Sequence, residues 1–118
     1  MHPQLELLLE IQDLRSQRAA LQEAPVREVE SGVFDVQIDE ALSLLEHKLE
    51  ELADRLDSGV RSRYRQFVSR DIRAVVPVLQ GICYGCFVAV PTAVASEATR
   101  NQKLAVCENC GRFLYHVS

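Results

Sequence analysis

The stretch that decides the fold is Gly81-Ile82-Cys83-Tyr84-Gly85-Cys86, answered across twenty intervening residues by Cys107-Glu108-Asn109-Cys110-Gly111. A Cys-x-x-Cys turn brings two sulfurs to one side of a tight loop, and two such knuckles supply four soft ligands for the corners of a tetrahedron. The spacing matches a zinc ribbon, so Cys83, Cys86, Cys107 and Cys110 are the expected ligands of one structural Zn2+ ion. Gly111, directly after the second pair, suits a position that needs positive φ. Gly85 is expected to ease the first knuckle in the same way, while Phe87 stands where a second glycine would be expected. Because protein fills all four corners, no place remains for a catalytic water and no enzyme is expected. His116 is expected to be a strand residue rather than a fifth ligand.

Around the cysteines the pattern is that of short strands. Ala74-Val75-Val76-Pro77-Val78-Leu79 is β-branched and brief, with Pro77 requiring an edge or a bulge. Phe87–Val90, Leu104–Val106 and Phe113–Val117 are further strand candidates, and Thr92–Arg100 has room for a helical turn or two. A ribbon this small cannot bury much core and depends on its metal.

Working outward toward residue 1, the period changes to that of helices. Leu7, Ile11, Leu14 and Leu21 recur in steps of four and three, with Arg18 in the missing place. Ile38, Leu42, Leu45, Leu49, Leu52 and Leu56 keep the same rhythm without a gap, with Asp35 as the expected N-cap. Pro25 to Phe34 separates the two stripes and is expected to turn the chain. Ser58-Gly59 marks an end or a kink, after which Val60, Tyr64, Phe67 and Val68 share one side of a third helical stretch. The expected architecture is α+β: an antiparallel helical (coiled-coil) hairpin over residues 1–73, then a four-cysteine zinc ribbon of short antiparallel strands over 74–118. The leucines are expected to pack within the hairpin, with dimerisation through a leftover stripe as the alternative.

Charge divides ahead of that boundary, between residues 57 and 58. Residues 1–57 hold fourteen acidic and five basic side chains, a balance of −9, whereas residues 58–118 hold eight basic against three acidic, or +5. Four thiolates and one zinc ion reduce the second figure to about +3. Arg61, Arg63, Arg65, Arg70 and Arg73 crowd into thirteen residues beside the ribbon, and Arg112 follows the second knuckle. Guanidinium groups in that density suit phosphates or a protein partner, and equally the acidic hairpin of the same chain. No basic leader and no apolar run of about eighteen residues is present, which points to a cytoplasmic protein without a membrane span. Reduced thiols in that compartment favour metal over disulfides.

The run Arg63-Tyr64-Arg65-Gln66-Phe67, Ala74-Val75-Val76-Pro77-Val78, the first knuckle, Val90-Pro91, and Cys107-Glu108-Asn109-Cys110-Gly111-Arg112-Phe113-Leu114-Tyr115 carries a family resemblance. It resembles the bacterial four-cysteine zinc-ribbon proteins with an N-terminal coiled-coil hairpin, described as predicted nucleic-acid-binding proteins. Leu8-Leu9-Glu10-Ile11-Gln12-Asp13-Leu14 also resembles that family's opening helix, although the hairpin here is shorter than is usual there. The resemblance implies zinc binding, and it implies nucleic-acid binding or association with transcription factors such as the alternative sigma subunit. The resulting expectation is a zinc-binding adaptor or regulator of gene expression working through protein and, secondarily, nucleic-acid contacts. A DksA/TraR-like regulator of RNA polymerase shares the architecture and is the alternative, although Glu23 to Phe34 offers no Asp-x-x-Asp pair. A thiol-redox switch is the less favoured third, since its Cys-x-x-Cys would open a helix in a βαβ unit.

Overall fold

A computed structural model describes residues 1–23, 32–92 and 100–117, with the backbone alone over 32–36. The first helix, α1, spans Pro3–Gln22. Pro3 opens it, where a missing N–H costs nothing, and His2 caps it by accepting the Gln4 N–H on Nδ1 at 3.1 Å. Its buried side chains are Leu5, Leu7, Leu8 and Ile11. The core therefore sits against its first half, and Leu14, Arg18 and Leu21 are half-buried.

The second helix, α2, spans Gly32–Asp54. It begins ahead of the expected cap, so Asp35 lies in the first turn rather than at the N-cap. The turn expected over Pro25 to Phe34 falls largely on residues outside those described. Ile38, Leu49, Leu52 and Leu56 are buried as the stripe predicts, whereas Leu44 points away at 72% exposure. Gln4 bonds to Arg55 and Asp57 at one end of the pair, while Arg15 and Arg18 share a hollow with Glu46 and Leu49 further along, so α1 and α2 run antiparallel.

Ser58-Gly59 does not end a helix; Ser58 starts α3, which runs Ser58–Val68. Arg61 on α3 turns back onto the end of α2. Its Nε donates to the carbonyl of Ala53 at 3.1 Å, and Nη2 donates to those of Asp54 and Leu56 at 3.0 and 2.8 Å. Carbonyls at a helix C-terminus lack intrahelical partners, and this one guanidinium serves two of them and the Leu56 carbonyl just beyond.

After α3 come β1 (Val75–Leu79), β2 (Ile82–Cys83), β3 (Ala105–Val106) and β4 (Phe113–His116). They form one sheet in the order β2-β1-β4-β3. The sheet is mixed, which corrects the expectation of an antiparallel ribbon. β1 and β2 pair antiparallel, as do β3 and β4, but the central pair β1–β4 is parallel, with Val75 opposite Phe113 and Val78 opposite His116. A parallel pair needs a long crossover, and the stretch holding both knuckles provides it. Phe87–Val90 is not a strand. The knuckle turns the backbone there, leaving a single bridge between Ile82 and Ala89. Pro77 sits in an inner strand and is tolerated because β2 pairs only with Val78 and Leu79; beyond it the Pro77 carbonyl accepts from Tyr84 at 2.9 Å.

Two side-chain amides complete the sheet where strands are missing. Gln12 of α1 accepts the Val75 N–H and donates to the Val75 carbonyl, both at 3.1 Å. Asn101 does the same for His116, at 2.8 and 2.9 Å. One apolar cluster unites Leu5, Leu8, Ile11, Leu52, Leu56 and Tyr64 of the helical part with Ala74, Val75 and Phe113 of the sheet. The opposite face of the sheet holds a second, with Val76, Val78, Cys83, Val90, Cys107 and Leu114.

Candidate metal centre

Both knuckles fold alike. The N–H of Phe87 donates to the Cys83 carbonyl at 2.6 Å, and that of Gly111 donates to the Cys107 carbonyl at 2.9 Å. Each turn leaves its fifth residue with positive φ, +61° at Phe87 and +78° at Gly111. Glycine takes that conformation freely, whereas a bulky side chain pays about 1 kcal/mol or more in strain. Gly85 has a different role from the one its sequence position implies. Its φ is not positive; a Cβ there would lie 3.0 Å from both Val76 Cγ1 and Arg112 Nη1, so the knuckle needs its missing side chain.

The turns bring the sulfurs of Cys83 and Cys110 to 3.8 Å and those of Cys86 and Cys107 to 3.7 Å. All four lie within 4.8 Å of one another. A tetrahedron with metal–sulfur bonds of 2.3 Å has edges of about 3.8 Å, so the set fits zinc and leaves no bonded disulfide. Cys83 and Cys107 are buried, Cys86 and Cys110 half-buried. Burial raises the Cys83 thiol and pushes Cys110 up to about 12. Cys86 is lowered to about 6, chiefly by the side-chain amide of Asn109, which reaches across from the other knuckle. A bound zinc ion holds all four as thiolates. The four cysteines are the ligand set of one structural zinc ion.

The sequence-predicted arginines are spread rather than gathered. Arg61 is engaged with α2. Arg63 Nη1 donates to the Gly111 carbonyl at 3.0 Å, and the Arg112 guanidinium lies against Gly85, so these two flank the two knuckles. Arg65, Arg70 and Arg73 are exposed, with Arg73 on the wall of a hollow of about 410 Å³ that Arg15 and Arg18 also line. None of the six forms an ion pair with a carboxylate of the described residues, where the ion pair found is His47–Glu51 at 3.3 Å. Arg61 and Arg63 thus serve backbone carbonyls, not the acidic face of α2.

His116 is a strand residue, as expected, but it is buried with both ring nitrogens unpartnered. Burial, and then the charge of Arg100, lower its pKa below the usual 6.5. Sequence reasoning missed Asn109, and at Phe87 it marked the place of an expected glycine without the positive φ that follows. The signal for Phe87 was there: the two knuckles differ at their fifth residue, glycine in one and phenylalanine in the other. Among the described residues, no helix is long and apolar enough to cross a membrane.

Comparison with known proteins agrees with this geometry. Residues 82–114 match the model of the C4-type zinc ribbon domain. No curated protein matches. Among solved structures, the HP0958 protein from Helicobacter pylori CCUG 17874 is similar at TM-score 0.60 and 23% identity, covering 87% of this chain and 42% of that one. CT398 from Chlamydia trachomatis is similar at TM-score 0.55 and 24% identity, covering 87% of this chain and 44% of that one. The chain therefore spans less than half the length of either and shares their fold. Residues 82–114 form a C4-type zinc ribbon domain, set on helices at its N-terminal side, as the family resemblance implied.

Proposed function

We propose that this chain is a cytoplasmic zinc-binding adaptor or regulator of gene expression, acting through contacts with a protein partner and not through catalysis. The observation that carries this reading is the closed four-sulfur site: with Cys83–Cys110 and Cys86–Cys107 at 3.8 and 3.7 Å and all four sulfurs within 4.8 Å, a bound metal has no open position and its role is to hold a surface in shape. That surface joins an acidic front half, residues 1–57, to a basic rear half, residues 58–118, in which Arg63 and Arg112 flank the knuckles and form no ion pair with a described carboxylate. Opposite charges at two ends suit a module that meets one component at each. The place in gene expression rests on the family resemblance, which also makes nucleic acid a second class of partner.

The test is co-purification. A tagged, zinc-loaded chain is expected to retain a protein at stoichiometric amount that Cys107→Ser loses. Recovery of core RNA polymerase as that protein would favour the DksA/TraR-like alternative. Recovery of nothing beyond the tag control would remove the adaptor reading.

A further inference from the structure

We propose that Arg63 is a positioning residue for the zinc ion, acting through one peptide group on the thiolate of Cys110. This role concerns the metal centre alone and stands whether or not the chain is an adaptor. Arg63 Nη1 donates to the Gly111 carbonyl at 3.0 Å, from a position 48 residues earlier in the chain. The same peptide group carries the Arg112 N–H. The peptide is trans, so that N–H points away from the carbonyl, and it is directed at the Cys110 sulfur, where it favours the thiolate. One amide plane thus has a guanidinium at its oxygen and a metal ligand at its hydrogen. Hydrogen bonds joined through a peptide polarise one another, so a cation on the carbonyl strengthens the N–H···S bond.

The charges fit that role. Four thiolates and one Zn2+ ion sum to about −2, and Glu108 in the second knuckle adds one more negative charge. A centre of that sign gains from cations beside it. Arg63 stands at the second knuckle, and the Arg112 guanidinium lies against Gly85 in the first. Neither forms an ion pair with a carboxylate of the described residues. Their charge answers the metal centre itself.

The second knuckle is shaped to receive this contact. Gly111 takes a φ of +78°, and a Cβ there would lie 3.2 Å from Arg63 Nη1 and 3.7 Å from Phe67 Cζ. Arg63 and Phe67, one turn apart on α3, both reach the space that a side chain at 111 would crowd. The other backbone groups of this turn are already engaged. The Gly111 N–H donates to the Cys107 carbonyl, and the Arg112 carbonyl accepts from the Cys107 N–H, both at 2.9 Å. The Gly111 carbonyl is the one left for α3. The first knuckle has the matching donor, the Val88 N–H toward Cys86, but among the described residues no hydrogen bond reaches the Phe87 carbonyl. Arg63 therefore acts on one of the four ligands.

The experiment measures zinc binding to the full chain by competition with a chromophoric chelator, together with 15N spectra of the zinc-loaded protein. Arg63→Gln is expected to bind zinc about tenfold more weakly. In its spectra the Arg112 amide proton should move upfield, while that of Val88, its counterpart in the first knuckle, stays in place. Arg63→Lys keeps a cationic donor and should recover most of the lost affinity. Arg65→Gln makes the same change of charge at an exposed position of α3 and should leave both readouts as in wild type. Zinc affinity of Arg63→Gln within about twofold of wild type would overturn the assignment. So would an equal loss in Arg65→Gln, or Arg63→Lys binding no better than Arg63→Gln. An Arg112 amide proton that does not move, or moves no more than that of Val88, would reduce Arg63 to a brace between helix and ribbon and overturn it as well.

Discussion

Gln12 on α1 stands in for a β-strand at Val75: its amide accepts that residue's N–H and donates to its carbonyl, both at 3.1 Å. β2 is too short to reach Val75, so without Gln12 these two backbone groups would lie beside the shared apolar cluster with no partner. An unpaired buried backbone group costs about 1–3 kcal/mol. Gln12→Ala should therefore destabilise the protein by about 2 kcal/mol, read from urea unfolding. Gln17→Ala, which loses an exposed bond to Asp13, should cost less than about 0.5 kcal/mol. Equal effects would mean that the Val75 contact does not connect helix to sheet.

Arg61 and Arg65, one turn apart on α3, should behave differently. Arg61 donates to three carbonyls at the end of α2, so Arg61→Gln should cost about 1–2 kcal/mol of stability. Arg65 is exposed, and Arg65→Gln should change stability by less than about 0.5 kcal/mol. Thermal melts of the two single variants would check this, and the comparison bears on binding assays. Any loss of partner or nucleic-acid binding in an Arg61 variant must be corrected for the loosened α2–α3 joint.

Removing zinc should reach further than the ribbon. Cys107→Ser, or chelation of the wild type, should release β1 and β4, since structural zinc supplies much of a small ribbon's folding free energy. Ala74, Val75 and Phe113 belong to the same cluster as Leu5, Leu8 and Leu52, so the helices should lose packing as well. The expected result is loss of dispersed ribbon amides in NMR together with a partial fall in helical circular dichroism. Dispersed ribbon amides in Cys107→Ser would contradict the structural role of the metal.

Acid should weaken the fold through His116. Its pKa is lowered in the native state, so below the unfolded value of about 6.5 the unfolded chain binds more protons than the folded one. Stability from the neutral, buried ring is full above pH 6.5 and falls as pH drops from there through the lowered folded value. Thiolate protonation adds its own loss, so the measurement is the difference between wild type and His116→Leu, from pH 7.5 to 5.5, by urea unfolding. The gap between the two should shift in favour of the variant as pH falls; a constant gap would refute the prediction.

Much of this was legible in the chain. The cysteine spacing carried the zinc site, since a Cys-x-x-Cys turn is local and its geometry depends on few other residues. The helical stripes carried α1 and α2 because 3.6-residue periodicity is written into each segment separately. What stayed hidden depended on partners distant in sequence. Nothing near Val75 announces a parallel match to Phe113, and nothing in Gln12 distinguishes it from the surface glutamine at 17. The arginines illustrate the same limit. Their number is visible, but only the folded chain assigns Arg61 to the carbonyls of α2 and Arg63 to Gly111. His2 likewise gives no sign in the sequence that it caps α1 and donates its N–H to the Asn101 carbonyl at 2.6 Å.

The parallel match of β1 to β4 also sets an order of events in folding. Val75 and Phe113 are separated by about forty residues, and closing a loop of that length carries an entropy cost that grows with its logarithm. Helices and tight turns form within microseconds, but pairings this remote slow a small domain. On a ribosome, β1 would be extruded and wait for β4, its inner edge unpaired meanwhile. Zinc captured by the two knuckles would tie Cys83 to Cys110 and shorten the remaining search to a few residues. The ion would then act as a folding clamp as well as a brace, and the rate of ribbon formation should depend on how much free zinc the nascent chain meets.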